Sequence, residues 1–585
     1  MTKIRVLDPD TVNQIAAGEV VERPASVVKE LLENAIDAGA TSILLDVSSD
    51  MAGITKIRVT DNGEGMTGEE AALAFHPHAT SKIREIADLS AIRTLGFRGE
   101  ALASIAAVAE VTLVTRPRGG GALAGTRIVV RGGDVVEKSE VGAPEGTTIA
   151  VERLFYNTPA RRKFLKSRNT ELAHVYGVVE SLALAHGEVA FRVVHNGKER
   201  MATQRSGGGL TTIAGLYGAE LARSLVPAEG RLPFLRIGGY ISRPSESRGN
   251  PSQISVSING RSISSRQIAA AVREGYGTLL PKDRYPVAFL ELSIDTGLVD
   301  VNVHPTKREV RLSREREITG AIAAAVEEAL AKHDLARETP DEPVQQQIVP
   351  GGAEPVPSPP PVADPGASYT AGHRSLTLSD KQLRRTETEG GENLLPAMEP
   401  IGQVAATYIV AEGSDGTLYL IDQHAAHERI LYDQVSEQRD RAAGSQELIT
   451  PVIVSLPPKE SAALRDAIPL LTDGGFVVEE FGRDTFAVRA VPAALGAVED
   501  PGTVREAIAD LLADESRTAP DRREAVTCIV ACRGAVKAGA ILTPEQQKRL
   551  LMQLARTKTP WTCPHGRPTV VAFDRRKLDG MFRRG

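Results

Sequence analysis

Hydrophobic residues fall in two periods along this chain. In RPASVVKELLENAIDAGA, apolar Val27, Val28, Leu31, Leu32, Ala35 and Ile36 share one half of a cylinder at about 100° per residue. Glu30, Glu33, Asn34 and Asp37 gather on the other half. This predicts an amphipathic helix, opened by Pro24, closed by Gly39, with a solvated charged face. ITKIRVT, QISVSING and VAFLELSI instead alternate every second residue and predict strands. Strands and helices alternate in this way to about residue 332. Between 333 and 395 the pattern lapses into VPGGAEPVPSPPPVADPGAS and a polar run, too poor in apolar surface to offset ordering entropy. Periodic structure resumes at about 396, and no internal repeat is present.

The expected plan is therefore a first domain over 1–210, a second over 211–332, a disordered Pro-rich linker over 333–395, and a C-terminal domain over 396–585. A length of 585 residues agrees with several domains of roughly 150 residues each. Apolar (42%) and charged (25%) fractions are ordinary for globular protein. A net charge of −6 means that any contact with DNA must use local basic patches. No apolar run approaches the roughly 20 residues of a membrane span, and no signal-peptide pattern opens the chain. Three cysteines are too few for a disulfide framework and suit a reducing compartment, so a cytoplasmic location is expected. All three (Cys528, Cys532 and Cys563) lie near the C-terminus.

Several loops in the first block suit phosphate chemistry. ITKIRVTDNGEGM runs a strand into Asp61-Asn62-Gly63-Glu64-Gly65, which alone would be a good hairpin turn. HATSKI follows, and then TLGFRGEALASIAAVA, where Gly96 and Gly99 precede an Ala-rich helix whose first N–H groups can cradle phosphate. The absence of GxxxxGK[ST] excludes a Walker-type site.

Taken in order, IAAGEVVERPASVVKELLENAIDAGAT, DNGEGM, HATSKI, GFRGEAL, EGTTIAVERLFYNTPARRKFL and VNVHPTKREV resemble the MutL family, within the gyrase/Hsp90/histidine-kinase/MutL (GHKL) ATPases. The resemblance implies an α/β and α+β multidomain protein. Its parts would be a GHKL (Bergerat) ATPase α/β sandwich, a ribosomal-S5-like α+β domain, a linker, and a C-terminal α+β dimerisation and endonuclease domain. It implies ATP and Mg²⁺ as cofactors, with Glu30 as general base and Asn34 as Mg²⁺ ligand. Asp61 would accept from the adenine amine, supported by Thr147, and Gly63 and Gly65 would pass the nucleotide. Thr80, Ser81, Lys82 and the loop Gly96, Phe97, Arg98, Gly99, Glu100, Ala101, Leu102 would cover the phosphates. Lys307 would arrive from the second domain to sense the γ-phosphate. Bacterial, nucleoid-associated homodimers acting on double-stranded DNA with a MutS-type mismatch-recognition partner are implied as well.

In the last block, TLYLI predicts a strand delivering Asp422, with a helix close behind that sets His424 and Glu428 four residues apart. Cys528 and Cys532 share a later helix, and CPHGRP puts Cys563 and His565 on a tight loop. Together these make a Cys/His/carboxylate set suited to Zn²⁺ or Mn²⁺. The set is similar to that of endonuclease-type MutL C-terminal domains, which implies that Asp422, His424, Glu428, Cys532, Cys563 and His565 carry metal and DNA nicking. Cys528 lies outside that pattern and is assigned to packing. Asp433 stands where the family pattern has Glu, one methylene longer. QELITP resembles a sliding-clamp docking peptide anchored by Gln446, Leu448 and Pro451. Arg161, Arg162, Lys163, Arg261 and Arg266 are expected to meet DNA phosphates. The competing reading is an ATP-gated adaptor without nuclease activity, its C-terminal metal purely structural.

Overall fold

The computed structural model describes residues 21–77, 79–80, 95–96, 99–119, 124–205, 209–280, 284–300, 310–332, 395–440, 445–493, 501–512, 524, 526–528, 531 and 540–582. Residue contacts gather 1–334 with 441–529 in one unit, and 335–440 with 530–585 in another. The expected linker lies outside the described residues.

In the first unit, helix α1 (Pro24–Asp37) begins at Pro24, as its sequence signals require. It ends where the Gly39 N–H meets the Ile36 carbonyl at 2.9 Å, with φ +68° at Gly39. Its apolar stripe faces an eight-stranded sheet of β1 (Ser42–Asp50), β2 (Gly53–Asp61), β3 (Glu110–Arg116), β4 (Ala124–Arg131), β5 (Asp134–Gly142), β6 (Gly146–Glu152), β7 (Ala190–His195) and β8 (Lys198–Ala202). The order is β5-β4-β3-β6-β2-β1-β7-β8, and β1 runs parallel to β7. Helices α2 (Ala101–Val108) and α3 (Arg168–Ala185) join α1 over the sheet. Val28, Leu32, Leu45, Ile57, Ile105 and Val179 interlock there in one buried core. This is a two-layer α/β sandwich.

A second sheet in the same unit pairs strands Leu235–Ser242, Ala288–Ile294, Ile254–Ile258 and Arg261–Ile263, with two short strands at its edge. Helices Arg266–Gly275 and Glu315–Lys332 cover it through Ile268, Val272, Ile318, Ile322 and Val326. Ala288 through Leu290 are buried in succession instead of alternating. Phe289 points away from this core and packs with Ile213 and Leu225, so the strand has apolar neighbours on both faces.

Residues 445–493 form a three-stranded sheet backed by helix Pro458–Asp473. Asp466 of that helix accepts hydrogen bonds from Ser167, Asn169 and Thr170 at the N-terminus of α3, where a carboxylate complements the helix dipole.

The second unit holds a four-stranded antiparallel sheet of Met398–Val404, Tyr408–Gly413, Leu418–Asp422 and Val570–Phe573. Helices α4 (Gln423–Asp440) and Pro544–Ala555 pack on it through Ala426, Ile430, Leu550 and Leu554. No helix among the described residues is long and apolar enough to cross a membrane.

Candidate functional site

The turn after β2 lies against the C-terminus of α1, where the Glu64 N–H donates to the Ala38 carbonyl at 2.9 Å. Asp61, the last residue of β2, is paired in register with Thr147 of β6. Its Oδ1 accepts the Gly63 N–H at 2.8 Å. Burial raises the Asp61 pKa, and the Gly63 and Thr147 backbone hydrogen bonds and the Arg118 charge act against that rise. Asn62 ties the same turn to the start of β1, its Oδ1 accepting from the Thr41 and Ser42 N–H groups at 2.9 Å each. Two glycines allow backbone to approach closely around this turn. A Cβ on Gly65, whose φ is +71°, would lie 2.0 Å from the Arg116 carbonyl oxygen. A Cβ on Gly146, whose φ is +107°, would lie 2.2 Å from the Asp61 carbonyl oxygen. Only glycine relieves both the contact and the backbone strain.

Thr115 joins this turn to β6. Its hydroxyl accepts the Met66 N–H at 2.9 Å, donates to the Gly146 carbonyl at 3.1 Å and meets the Thr147 hydroxyl at 3.0 Å. On α1, Glu30 and Asn34 are half-buried one turn apart. The expected solvated face is only partly solvated: Glu33 is buried, 3.3 Å from Lys29. Asp37 accepts the Leu95 and Gly96 N–H groups at 2.9 and 3.0 Å, fixing the start of the second glycine-bearing loop. Gly99, Glu100, Ala101 and Leu102 carry that loop into α2.

In the second unit, Asp422 closes its strand and caps α4, Oδ1 accepting the His424 and Ala425 N–H groups at 3.0 Å each. Helical spacing then brings His424 Nε2 to 3.2 Å from Glu428 Oε1. His565 Nδ1 approaches Glu428 Oε2 from the CPHGRP loop at 3.4 Å and lies 4.0 Å from the buried Cys563 Sγ. Ligand atoms of Glu428, Cys563 and His565 all lie within 4.8 Å of one another. Burial alone would raise the Glu428 pKa, but hydrogen bonds and charge from His424 and His565 outweigh it and hold the carboxyl well below its ordinary range. One carboxylate, one thiol and one imidazole gathered in this way are a donor set that fits a zinc-type ion. Neighbouring His427 is almost wholly buried, which drives its pKa down to about 4 and keeps it neutral near pH 7.

Three family models match the chain. They describe a histidine kinase-, DNA gyrase B- and HSP90-like ATPase over 22–128, a DNA mismatch repair protein C-terminal domain over 213–331, and a MutL C-terminal dimerisation domain over 401–542. The chain is 91% identical over 585 residues to the DNA mismatch repair protein MutL of Methanoculleus marisnigri, covering 100% of both. It is 47% identical to that of Methanocorpusculum labreanum and 38% identical to that of a Geobacillus species, again covering 100% of both chains in each comparison. The chain belongs to the MutL family of DNA mismatch repair proteins.

The MutL resemblance read from the motifs thus holds across the whole chain, and the N-terminal block is a GHKL-type ATPase domain. Thr80, Gly96 and Gly99 are described, whereas Ser81, Lys82, Phe97, Arg98, Lys307 and Cys532 lie outside the described residues. Cys528 is half-buried. Arg162 and Lys163 are exposed on the short Pro159–Phe164 helix with Arg161 half-buried beside them, and Arg266 is exposed. Arg261 is half-buried and donates to the Leu95 carbonyl at 3.2 Å.

Asp433 also has a role that its sequence position did not reveal. It lies against Arg429 (3.2 Å) and accepts the Lys558 N–H at 2.7 Å. Arg429 Nε in turn donates to the Thr562 carbonyl at 2.8 Å. The pair staples the segment before CPHGRP to α4, and the shorter Asp reach suffices for that. Both side chains are largely buried, so Asp433→Ala strands a buried guanidinium. It should cost about 3 kcal/mol, read as a lower denaturation midpoint for the C-terminal transition, with Asp433→Asn intermediate.

Proposed function

We propose that this chain is an ATP-gated homodimeric clamp that couples mismatch recognition to repair and carries a latent metal-dependent nicking site. The observation that carries the nuclease reading is the convergence of His424, Glu428, Cys563 and His565 beside the Asp422 cap. A strand end, a helix turn and a distant loop each contribute, which simple packing does not require. A divalent ion held there would supply an activated water and charge stabilisation for attack on a DNA phosphodiester. His424, Glu428, Cys563 and His565 would hold the ion together with Cys532, which lies outside the described residues, and Asp422 would carry the nicking chemistry beside them.

The nucleotide site would use Asp61 for the adenine amine, Glu30 to polarise the attacking water and Asn34 for Mg²⁺. QELITP supports docking on a sliding clamp through Gln446, Leu448 and Pro451. Strand pairing breaks between Glu447 and Val452, and Ile449 stands fully exposed in that interruption. The exposure of Arg162 and Lys163 supports their meeting DNA phosphates.

Nicking of supercoiled plasmid with Mn²⁺ tests the proposal. The wild type, with sliding clamp added, should convert plasmid to open circles, and Asp422→Asn should leave it at background. Equal, background-level nicking by both would establish the adaptor reading, with the C-terminal metal structural.

A further inference from the structure

Asp422 and His424, both half-buried, flank a glutamine that the fold buries more deeply than either. Gln423, the first residue of α4, is 0% exposed. A buried amide needs protein partners for its donors and its acceptor, and three segments supply them. Its Nε2 donates to the Ala406 carbonyl at 2.8 Å and to the Ala540 carbonyl at 3.1 Å, and its Oε1 accepts from Gln403 Nε2. Gln403, on the strand Met398–Val404, also donates to the Ala540 carbonyl at 2.8 Å, and its Oε1 accepts the Leu542 N–H at 3.1 Å. Two side-chain amides thus join the start of α4, a sheet strand, the turn after that strand and the segment entering helix Pro544–Ala555. An apolar side chain would fill the same space. A fully satisfied amide pair admits one arrangement, which is what a turn carrying metal ligands requires.

The turn is strained. Ala405 and Ala406 at its centre have φ of +52° and +49°, and the Thr407 N–H closes it on the Val404 carbonyl at 3.1 Å. Consecutive left-handed residues make the tight hairpin turn that Asn and Gly normally fill, and other residues adopt it only where their surroundings over-determine it. Gln423 is that surrounding: its side chain holds the Ala406 carbonyl, and its backbone N–H donates to the Thr407 carbonyl at 3.1 Å. The next residue, Tyr408, opens a strand and is paired with Asp422. Turn, strand register and the first turn of α4 are set against one another at the residue that precedes His424.

We infer that Gln403 and Gln423 are positioning residues of the nicking centre, an amide lock that holds the strained Ala405–Ala406 turn against α4 and thereby fixes Asp422 and His424. The inference rests on the reading that these two residues serve a metal-dependent nicking site. The glutamines ligate nothing and act through the residues on either side of Gln423.

The test uses the full chain as Gln403→Ala, Gln423→Ala, Gln423→Glu, the turn pair Ala405→Asn with Ala406→Gly, and that pair combined with Gln423→Ala. Co²⁺ affinity and the absorption bands of the bound cobalt are read beside nicking kcat and KM with Mn²⁺ and sliding clamp, and beside ATP turnover. Gln403→Ala and Gln423→Ala should each lose about tenfold in Co²⁺ affinity and in kcat, the scale on which residues that orient metal ligands act. Their cobalt bands should shift, with KM and ATP turnover unchanged. Gln423→Glu should be as poor as Gln423→Ala, because a carboxylate accepts from Gln403 but donates nothing to the Ala406 and Ala540 carbonyls. The turn pair alone should change neither affinity nor kcat. Combined with Gln423→Ala it should restore part of both, because Asn-Gly holds such a turn unaided. Wild-type cobalt bands, affinity and kcat in Gln403→Ala and Gln423→Ala, with only a lower melting temperature, would make the amides structural and overturn the inference. So would a turn pair that restores nothing. A wild type that binds cobalt but never nicks would remove the nuclease reading alone, and the cobalt comparison would still decide the lock. No cobalt binding at all would overturn both.

Discussion

Glu30→Ala should reduce ATP turnover by about 10²–10⁴-fold, the range over which a positioned general base contributes, while ATP binding is retained. Glu30 lies half-buried on α1, a turn before Asn34. It faces away from the core stripe of Val27, Val28, Leu31 and Leu32, so among the described residues its removal opens no core cavity and strands no buried partner. Single-turnover hydrolysis separates the two quantities, because the loss should appear in the chemical step and not in the analogue dissociation constant. A comparable loss in affinity would instead put Glu30 in nucleotide binding.

Glu428→Ala should have the largest effect in the second unit. Its carboxylate is the shared neighbour of His424 and His565, and it lies within ligand distance of Cys563. Removing it takes away both the only acidic ligand in the converging group and the charge that draws the two imidazoles together. Metal content of the purified protein should fall to background, and plasmid nicking with it. Far-ultraviolet circular dichroism should be retained, because α4 is held by Ala426, Ile430 and the Arg429–Asp433 staple on other faces. Retained metal would show that Cys563 and His565 bind it without Glu428.

What was readable in the sequence were features whose cause is local. The 3.6-residue stripe of α1, the turn glycines after Asp61 and the i,i+4 pair His424 and Glu428 each depend on neighbours within one turn or one strand end. The pairing of Asp61 with Thr147 was reachable only through the family resemblance, because it joins strands 86 positions apart in sequence. Thr115, Asp37 and Asn62 escaped notice because their roles come from backbone groups brought up by the fold, and nothing in their flanking residues marks this. The bond from Arg261 to the Leu95 carbonyl was hidden for the same reason. Beside SINGRSI this residue looks like an exposed loop arginine, and only packing of its hairpin on α3 brings it to Leu95. Asp433, known from the sequence only as standing where the family pattern has Glu, has partners in the Lys558 N–H and Arg429 that its flanking residues do not announce.

The burial pattern of the second sheet was half readable. Alternation in VAFLELSI indicates a strand, but Phe289 lies on the second face against Ile213, which is far away in sequence. The convergence of CPHGRP on α4 was expected from donor chemistry, and Glu428 turned out to be its centre.

The central claim is that one chain holds two separable chemistries, and plasmid nicking by Glu30→Ala beside Glu428→Ala tests it most directly. With Mn²⁺ and sliding clamp present, Glu30→Ala should keep basal nicking while Glu428→Ala shows none, and ATP turnover should be lost in the first and kept in the second. Nicking that survives in Glu428→Ala, or that vanishes with Glu30→Ala, would contradict the account.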